Sequence, residues 1–277
     1  MLLDGEPPRR LLLKELCASG LAADAVAAKP LFLLDTAREA EVYLDVLRPG
    51  RVDAPACFGA VVDPEASHAL LFLELVEGEV LWQVGEWEAW EEAARWLADL
   101  HGRALGTSSA RLIRYDSAHF RRWLRRARAF APARSLDRIA ACYERVVERL
   151  ADWPSSFVHG EFYPSNVLVE RRSRRFRIRP VDWEMAGVGT GLLDLAALSS
   201  GAWCEEDRQR LARVYFEASG PALRHRGWGE FLDALEHCRL HLAVQWLGWS
   251  RDWSPPQQQA HDWLAEARRV AEKLGLG

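Results

Sequence analysis

The fold is decided by two stretches, His159-Gly160-Glu161-Phe162-Tyr163-Pro164-Ser165-Asn166 and Val181-Asp182-Trp183-Glu184-Met185-Ala186-Gly187. The first lies between short apolar runs, and the second follows a run in which apolar residues and arginines alternate. This pattern predicts strand, loop, strand, hairpin and strand, with acidic and amide side chains on the connections. Phosphoryl transfer from a nucleotide needs such groups, because one carboxylate accepts a hydroxyl proton while a second carboxylate and an amide oxygen hold a divalent cation.

These motifs resemble those of the aminoglycoside phosphotransferase and choline-kinase-like family of small-molecule kinases. The loop of that family usually reads H-G-D-x-x-x-x-N and is followed by I-D-W/F-E-x-A-G, in the same order as here. The resemblance covers nearly the whole chain and is sharpest from 157 to 198. It implies an α+β, protein-kinase-like fold of two lobes. A small, strand-rich, nucleotide-binding lobe would span 1–77, and a larger, mainly helical lobe for catalysis and acceptor binding would span 78–277.

The hydrophobic pattern is consistent with this division. We expect strands over 9–17, Phe58–Val62 and Leu70–Val76, a helix over Thr36–Leu47, and a hinge near 74–79. Beyond the hinge, the pattern predicts mostly helices, over 86–101, 117–129, 135–151, 191–200, 205–218, 228–250 and 257–274.

Composition excludes several classes of protein. With 277 residues and 49% hydrophobic content, the chain can build a full core. A net charge of −4 argues against a nucleic-acid binder. The sequence shows neither an apolar run of about 18 residues nor the pattern of a signal peptide, so we expect no membrane partner. Five scattered cysteines without a C-x-x-C pair favour reduced thiols in the cytoplasm over a zinc site.

The resemblance implies that Glu161 is the catalytic base and that His159 belongs to the catalytic loop as a bracing residue, with a role as a base as its alternative. Glutamate stands where the family usually has aspartate. The additional methylene moves the carboxylate by roughly 1.5 Å. Two interpretations follow: the loop has shifted to accommodate the longer side chain, or the site is disabled and the acid is structural.

By the same resemblance, Asn166 and Asp182 are expected to bind Mg²⁺ on the phosphates of ATP, with GTP as an alternative donor. Glu184 either assists at the site, as a metal or acceptor ligand, or faces solvent. Asp194 is expected to support the site by accepting backbone N–H groups of the loop. Its alternative is an ordinary acid at a helix N-terminus.

Lys14 is one of only three lysines, against 33 arginines, and it lies in an apolar strand. The resemblance implies an ion pair between Lys14 and Glu39 that anchors the nucleotide phosphates. Glu39 is preferred to Glu41 because its helical spacing places it on the face of Tyr43 and Val46. The alternative for Lys14 is a charge that protects an edge strand.

The nucleotide base is expected against the hinge, at Glu74 and Val76, through backbone groups. Only 13 residues precede Lys14, and Gly5 is the only glycine among them. A glycine-rich loop between two further strands does not fit in this length. Either the N-terminal lobe is shortened and has lost its phosphate-covering loop, or the chain starts late.

Trp246, Trp249 and Trp253 follow one another at i, i+3 and i+7. A tryptophan face of this kind usually packs in a core, but in the resembling fold it would line the acceptor cleft and suit a sugar or a cationic amine. On the predicted hairpin, Arg175, Arg177 and Arg179 share one strand face, which we interpret as solvated.

Three functions therefore remain. The main hypothesis is a small-molecule phosphotransferase whose partners are a nucleotide and a hydroxyl acceptor. The second is a pseudokinase that binds a nucleotide or small molecule and serves as a regulator or scaffold. The third is a protein-interaction or RNA-contacting module that uses the arginine faces. The sequence determines neither the acceptor nor the oligomeric state.

Overall fold

The protein is described from a computed structural model over residues 10–17, 29–106, 108–132, 134–173, 175–249 and 261–276. The N-terminal part contains an antiparallel sheet of order β1-β3-β2, formed by β1 (Leu11–Cys17), β2 (Cys57–Asp63) and β3 (His68–Glu74). Every second residue of β3 is buried, so its apolar face covers the core. The three strands predicted for this part are confirmed.

Helix α1 (Arg38–Glu41) continues as a π-helix over Val42–Leu47, so the predicted helix is present. Its apolar residues share one hydrophobic cluster with the sheet and with buried residues of the C-terminal part, which include Phe157 and Trp183. This cluster therefore joins the N-terminal sheet to the segments that carry the two motifs.

The C-terminal part contains two small sheets around the motifs. β4 (Glu79–Val80) pairs with β7 (Val167–Arg172), which forms a hairpin with β8 (Arg175–Pro180). β5 (Ile113–Arg114), β9 (Gly187–Thr190) and β6 (Ser155–Val158) form the other, in the order β5-β9-β6. The pattern predicted β6, β7 and β8. It missed the short β4, β5 and β9, which depend on partners distant in sequence.

Helices make up most of the remainder. They are α2 (Trp87–Gly102), α3 (Ser117–Phe130), α4 (Asp137–Asp152), α5 (Leu192–Leu198), α6 (Glu205–Ala218), α7 (Pro221–Arg224), α8 (Trp228–Leu247) and α9 (Trp263–Lys273). α8 is buried on nearly all sides and contacts α3, α4, α5 and α9, so it forms the centre of this part. Among the described residues, no helix is both long and apolar enough to span a membrane.

Two expectations are wrong in detail. α8 ends at Leu247, so Trp249 lies beyond the helix and does not share a helical face with Trp246. The arginine face of β8 is only partly solvated, because Arg175 is exposed but Arg179 is only 1% exposed and pairs with Glu74 and Glu170. Glu74 lies 105 positions away in the sequence, and strand alternation cannot reveal this partner.

Candidate active site

The loop after β6 is held by one buried carboxylate. Asp194, at the start of α5, accepts bonds from the backbone N–H of His159 at 2.7 Å and of Gly160 at 2.8 Å. His101 also contacts this carboxylate, with 3.1 Å between His101 Nε2 and Asp194 Oδ2. The structure thus places Asp194 where the sequence expected it, and two charge-assisted bonds fix the loop.

Gly160 is required by the loop geometry. Its φ of +86° is rarely adopted by other residues, and an added Cβ would lie 2.2 Å from both the Met185 carbonyl oxygen and the Tyr115 hydroxyl. The loop therefore packs directly on the segment that follows Asp182.

His159 is fully buried, and its ring is bonded on both sides. Nε2 lies 3.0 Å from the Val181 carbonyl oxygen, and Nδ1 accepts the Glu161 backbone N–H at 3.3 Å. Only a neutral ring with its proton on Nε2 satisfies both bonds. Burial also lowers the pKa of His159, in agreement with a neutral ring. This arrangement favours a bracing role over a proton-transfer role.

Glu161 follows on the same loop and is partly buried. Burial, and then the negative charges of Asp182 and Glu184, raise the pKa of its carboxyl to about 8. The side-chain nitrogen of Asn166 donates to the Glu161 backbone carbonyl at 3.0 Å. This bond fixes the amide, and it leaves the side-chain oxygen of Asn166 as the atom that can bind a cation.

Asp182 lies at the start of a 3₁₀ turn with a left-handed backbone, at φ 67° and ψ 65°. This conformation is uncommon outside glycine and is often found at functional sites. One carboxylate oxygen accepts a bond from Lys14 at 2.7 Å. Burial alone would raise the pKa of Asp182, but the charge of Lys14 outweighs it and holds that pKa below its usual value.

Lys14 also binds Glu39, at 2.9 Å to Oε1 and 2.7 Å to Oε2. The expected pair is therefore present, and Glu39 additionally accepts the backbone N–H of Trp183 at 3.2 Å. Glu41, the alternative residue, pairs instead with Arg111 at 3.1 Å. Lys14 thus links the N-terminal sheet, helix α1 and the second motif.

Glu184 does not face solvent freely, because Lys29 lies 2.5 Å from its Oε2. Glu161, Asp182 and Glu184 each place a carboxylate oxygen within 4.8 Å of the others. Hard cations such as Mg²⁺ prefer oxygen ligands, and this donor set, with the Asn166 oxygen nearby in the loop, fits such an ion. Sequence reasoning missed Lys29, although its rarity among the basic residues was a usable signal.

At the hinge, the Glu74 carboxylate is bound to Arg179 and accepts the Ala56 backbone N–H at 3.0 Å. Val76 lies in the irregular connection between β3 and β4 and is half-buried. The Glu74 side chain is therefore already engaged, and binding of a nucleotide base to the backbone of this connection stays a prediction.

The proposed acceptor tryptophans occupy different positions. The Trp246 indole N–H donates to the Tyr163 hydroxyl at 2.8 Å, which connects it to the catalytic loop. Trp249 stacks on Trp123, with ring centroids 5.7 Å apart. Trp253 lies outside the described residues. Tyr163, two residues after Glu161, was not singled out from the sequence.

Comparisons with known proteins agree with this geometry. The sequence profile described as the Phosphotransferase enzyme family matches residues 26–232. No curated protein sequence matches the chain significantly.

Solved structures share the fold at low sequence identity. A microcompartment-associated aminopropanol kinase is 15% identical with a TM-score of 0.66, over 99% of this chain and 89% of that chain. A Plasmodium vivax ethanolamine kinase is 12% identical with a TM-score of 0.58, over 88% and 73%. The GDP complex of aminoglycoside 2'-phosphotransferase-IIIa is 13% identical with a TM-score of 0.57, over 87% and 81%. The predicted kinase-like fold is confirmed.

Proposed function

Because the chain belongs to the phosphotransferase enzyme family, we propose that it transfers the γ-phosphoryl group of ATP, or of GTP, to a hydroxyl of a small molecule. Family membership confirms the prediction of a phosphotransferase acting on an alcohol group, while the donor and acceptor are our proposal. The observation that carries it is the convergence of Glu161, Asp182 and Glu184 within 4.8 Å, with Lys14 bonded to Asp182.

In the proposed reaction, the acceptor hydroxyl oxygen attacks the γ-phosphorus and the bond from this phosphorus to the β–γ bridging oxygen breaks. The hydroxyl proton passes to the Glu161 carboxylate, and the nucleoside diphosphate leaves. A base works best when its pKa lies near the working pH, and burial, followed by the charges of Asp182 and Glu184, raises the pKa of Glu161 to about 8. Glutamate at position 161 keeps the carboxyl group that this role requires.

Asp182 and Asn166 would hold Mg²⁺, and Glu184 is available as a further ligand. The ion would neutralise the charge of the phosphate oxygens. Lys14, held between Glu39 and Asp182, would contact the phosphates. Its burial alone would lower its pKa, but the two carboxylates raise that pKa above its usual value, so Lys14 stays charged.

We assign different binding roles to the two parts of the chain. We propose that residues 1–77 bind the nucleotide, with its base at the backbone of Glu74 and Val76, and that residues 78–277 bind the acceptor. The kinases of similar fold act on aminopropanol and ethanolamine by their names, and these suggest an amino alcohol as acceptor. All five cysteines are free thiols, which suits the cytoplasm.

The second candidate is a pseudokinase, favoured by glutamate in place of aspartate at 161. One experiment separates the two. Purified protein is incubated with Mg–ATP or Mg–GTP and a panel of amino alcohols, sugars and aminoglycosides, and diphosphate release is measured. Acceptor-dependent release that Glu161→Gln abolishes supports the enzyme. Nucleotide binding without release by any acceptor supports the pseudokinase.

A further inference from the structure

Lys29 is the second lysine beside the carboxylates of the candidate active site. Its ammonium lies 2.5 Å from Oε2 of Glu184, and its side chain is only 14% exposed. We propose that Lys29 is a catalytic residue whose ammonium contacts the phosphoryl group during its transfer. This inference rests on the proposed function, because it assigns a further residue to that reaction.

Through Glu184, Lys29 lies close to all three carboxylates. Glu161, Asp182 and Glu184 each place a carboxylate oxygen within 4.8 Å of the others. Burial, and then the charges of Asp182 and Glu184, raise the pKa of Glu161, and the charge of Lys29 opposes this rise more than that of Lys14 does. The positive charge of Lys29 therefore acts on the proposed base as well as on Glu184.

Lys29 has more hydrogen-bond donors to spare than Lys14. The ammonium of Lys14 lies between two carboxylates, 2.7 Å from Asp182 and 2.9 Å from Glu39. Within the part of the chain that the structure describes, Lys29 pairs with one carboxylate, that of Glu184. A lysine ammonium carries three donors, so two donors of Lys29 are not taken by this partner and can bind phosphoryl oxygens.

A purely structural role is the alternative for this ion pair. Arg38, which is 5% exposed at the start of α1, donates to the backbone carbonyls of Glu184 at 2.7 Å and of Leu33 at 3.0 Å. Leu33 ends a short 3₁₀ turn that begins two residues after Lys29. Arg38 thus already ties the segment of Lys29 to the segment of Glu184, and the ion pair is not needed to join them.

An ammonium at this place has a direct chemical use. In the transition state, negative charge spreads over the oxygens of the phosphoryl group, and fixed cations stabilise it there. Lys29 would donate hydrogen bonds to these oxygens and take no part in the proton transfer to Glu161. Lys14 is bonded to Asp182 and Lys29 to Glu184, so the two ammonium groups can contact different phosphate groups.

The first test measures binding of a transition-state mimic by calorimetry. Aluminium fluoride added to Mg–ADP mimics the phosphoryl group under transfer, whereas Mg–ADP alone lacks that group. We expect aluminium fluoride to tighten ADP binding in the wild type. Lys29→Met should lose about tenfold or more of this tightening, while its Kd for Mg–ADP stays within about twofold of the wild type. Mg–GDP replaces Mg–ADP if GTP is the donor.

The second test measures turnover with an acceptor that gives diphosphate release. Lys29→Met should lower kcat about 10²-fold, the usual cost of removing one group that stabilises transition-state charge, with little change in either KM. Lys29→Arg keeps the charge and should recover most of the kcat and of the aluminium fluoride effect. Lys29→Gln is a second neutral variant, so the result stands even where methionine disturbs folding.

Lys273→Met is the matched control. Lys273 is also paired with carboxylates, 2.7 Å from Glu205 and 2.9 Å from Glu236, but neither belongs to the three carboxylates of the candidate active site. Its substitution should leave kcat and the aluminium fluoride effect unchanged.

The proposal is overturned if the neutral variants of Lys29 keep the wild-type kcat. It is also overturned if they weaken binding of Mg–ADP with and without aluminium fluoride equally, because that would indicate a structural role. With an active wild type, both results leave the phosphotransferase function intact. A wild type that releases no diphosphate with any acceptor, and in which aluminium fluoride does not tighten ADP or GDP binding, would refute the proposed function and this inference with it.

Discussion

Two groups of charges in this molecule are built in opposite ways. In the candidate active site, which we call the cleft, three partly buried carboxylates lie within 4.8 Å of one another, and Lys14 and Lys29 pair with two of them. Between α6, α8 and α9, by contrast, Glu205, Glu236 and Glu266 each pair with an arginine or a lysine. The pKa values differ accordingly. Burial and like charges raise the pKa of Glu161 to about 8, whereas the pKa of Glu266 is lowered to about 2.

The second group, which we call the helical charge cluster, is closely paired. Arg208 lies 2.8 Å from Glu266, Arg239 lies 2.5 Å from Glu236, and Lys273 lies 2.9 Å from Glu236. Burial alone would raise the pKa of Glu266, but bonds to Arg269 and Arg208 outweigh it. Paired charges of this kind hold the helices in one arrangement. Like charges close together lower the stability of the fold, and such groups are typical of functional sites.

Substitution of Asp182 should give the largest effect on activity of the changes that compare the two groups of charges. Asp182→Asn removes a proposed metal ligand, and a metal supplies several kcal/mol of transition-state stabilisation, so kcat should fall about 10³-fold or more. Stability should hardly change, because Lys14 keeps Glu39 and the carboxylate crowding is relieved. Steady-state kinetics and thermal melting check both expectations. A variant that melts far below the wild type would contradict the assignment of this acid to function.

Glu161→Gln is a second test of the difference between the cleft and the helical charge cluster. It keeps the shape of the side chain but cannot accept a proton, so kcat should fall about 10²–10⁴-fold with little change in nucleotide affinity. Glu161→Asp shortens the side chain by one methylene in a loop that is adapted to glutamate, so we expect a lower kcat. Unchanged turnover in Glu161→Gln would remove Glu161 from the mechanism.

Gly160→Ala tests whether the position of the catalytic loop matters for activity. The new Cβ would lie 2.2 Å from the Met185 carbonyl oxygen, at a φ of +86°. The loop must shift, and a misplacement of about 1 Å can lower kcat about 10²-fold, with a stability loss of about 1–3 kcal/mol. Kinetics and chemical denaturation measure the two effects. Wild-type values for both would show that the loop tolerates displacement.

Glu266→Gln should show the reverse pattern. The folded pKa is depressed, so the pair contributes stability above pH 4.5, which is lost as the pH falls towards about 2. At neutral pH the variant should lose about 2–3 kcal/mol of unfolding free energy and keep its kcat below the melting temperature. Denaturation curves between pH 7 and pH 3 should converge for the two proteins. A constant difference would show that the charge of Glu266 is not responsible.

Much of this architecture could be predicted because its signals are local. Helical periodicity indicated the main helices, and the position of Glu39 on the face of Tyr43 indicated its inward direction. The interval from Glu161 to Asn166 and the order of the two motifs indicated one cleft. These features depend on residues a few positions apart, so the sequence alone displays them.

The remainder depends on partners that lie far apart in the chain. Strand alternation predicts a solvated Arg179, because its partner Glu74 lies 105 positions away and no local pattern indicates the pair. Lys29 meets Glu184 across more than 150 positions. Trp82 and Trp203, which are also far apart in the chain, line one cavity. Such contacts arise only when the two parts of the chain pack together.

The central claim is that the crowded carboxylates of the cleft bind the metal–nucleotide complex. The most direct measurement is the rise in melting temperature on adding Mg–ATP to the wild type, Asp182→Asn and Glu266→Gln, since a ligand that binds only the folded state stabilises it. We predict a rise in the wild type, an equal rise in Glu266→Gln from a lower starting temperature, and little or none in Asp182→Asn. A full rise in Asp182→Asn, or no rise in the wild type with ATP or GTP at millimolar concentration, would contradict the account.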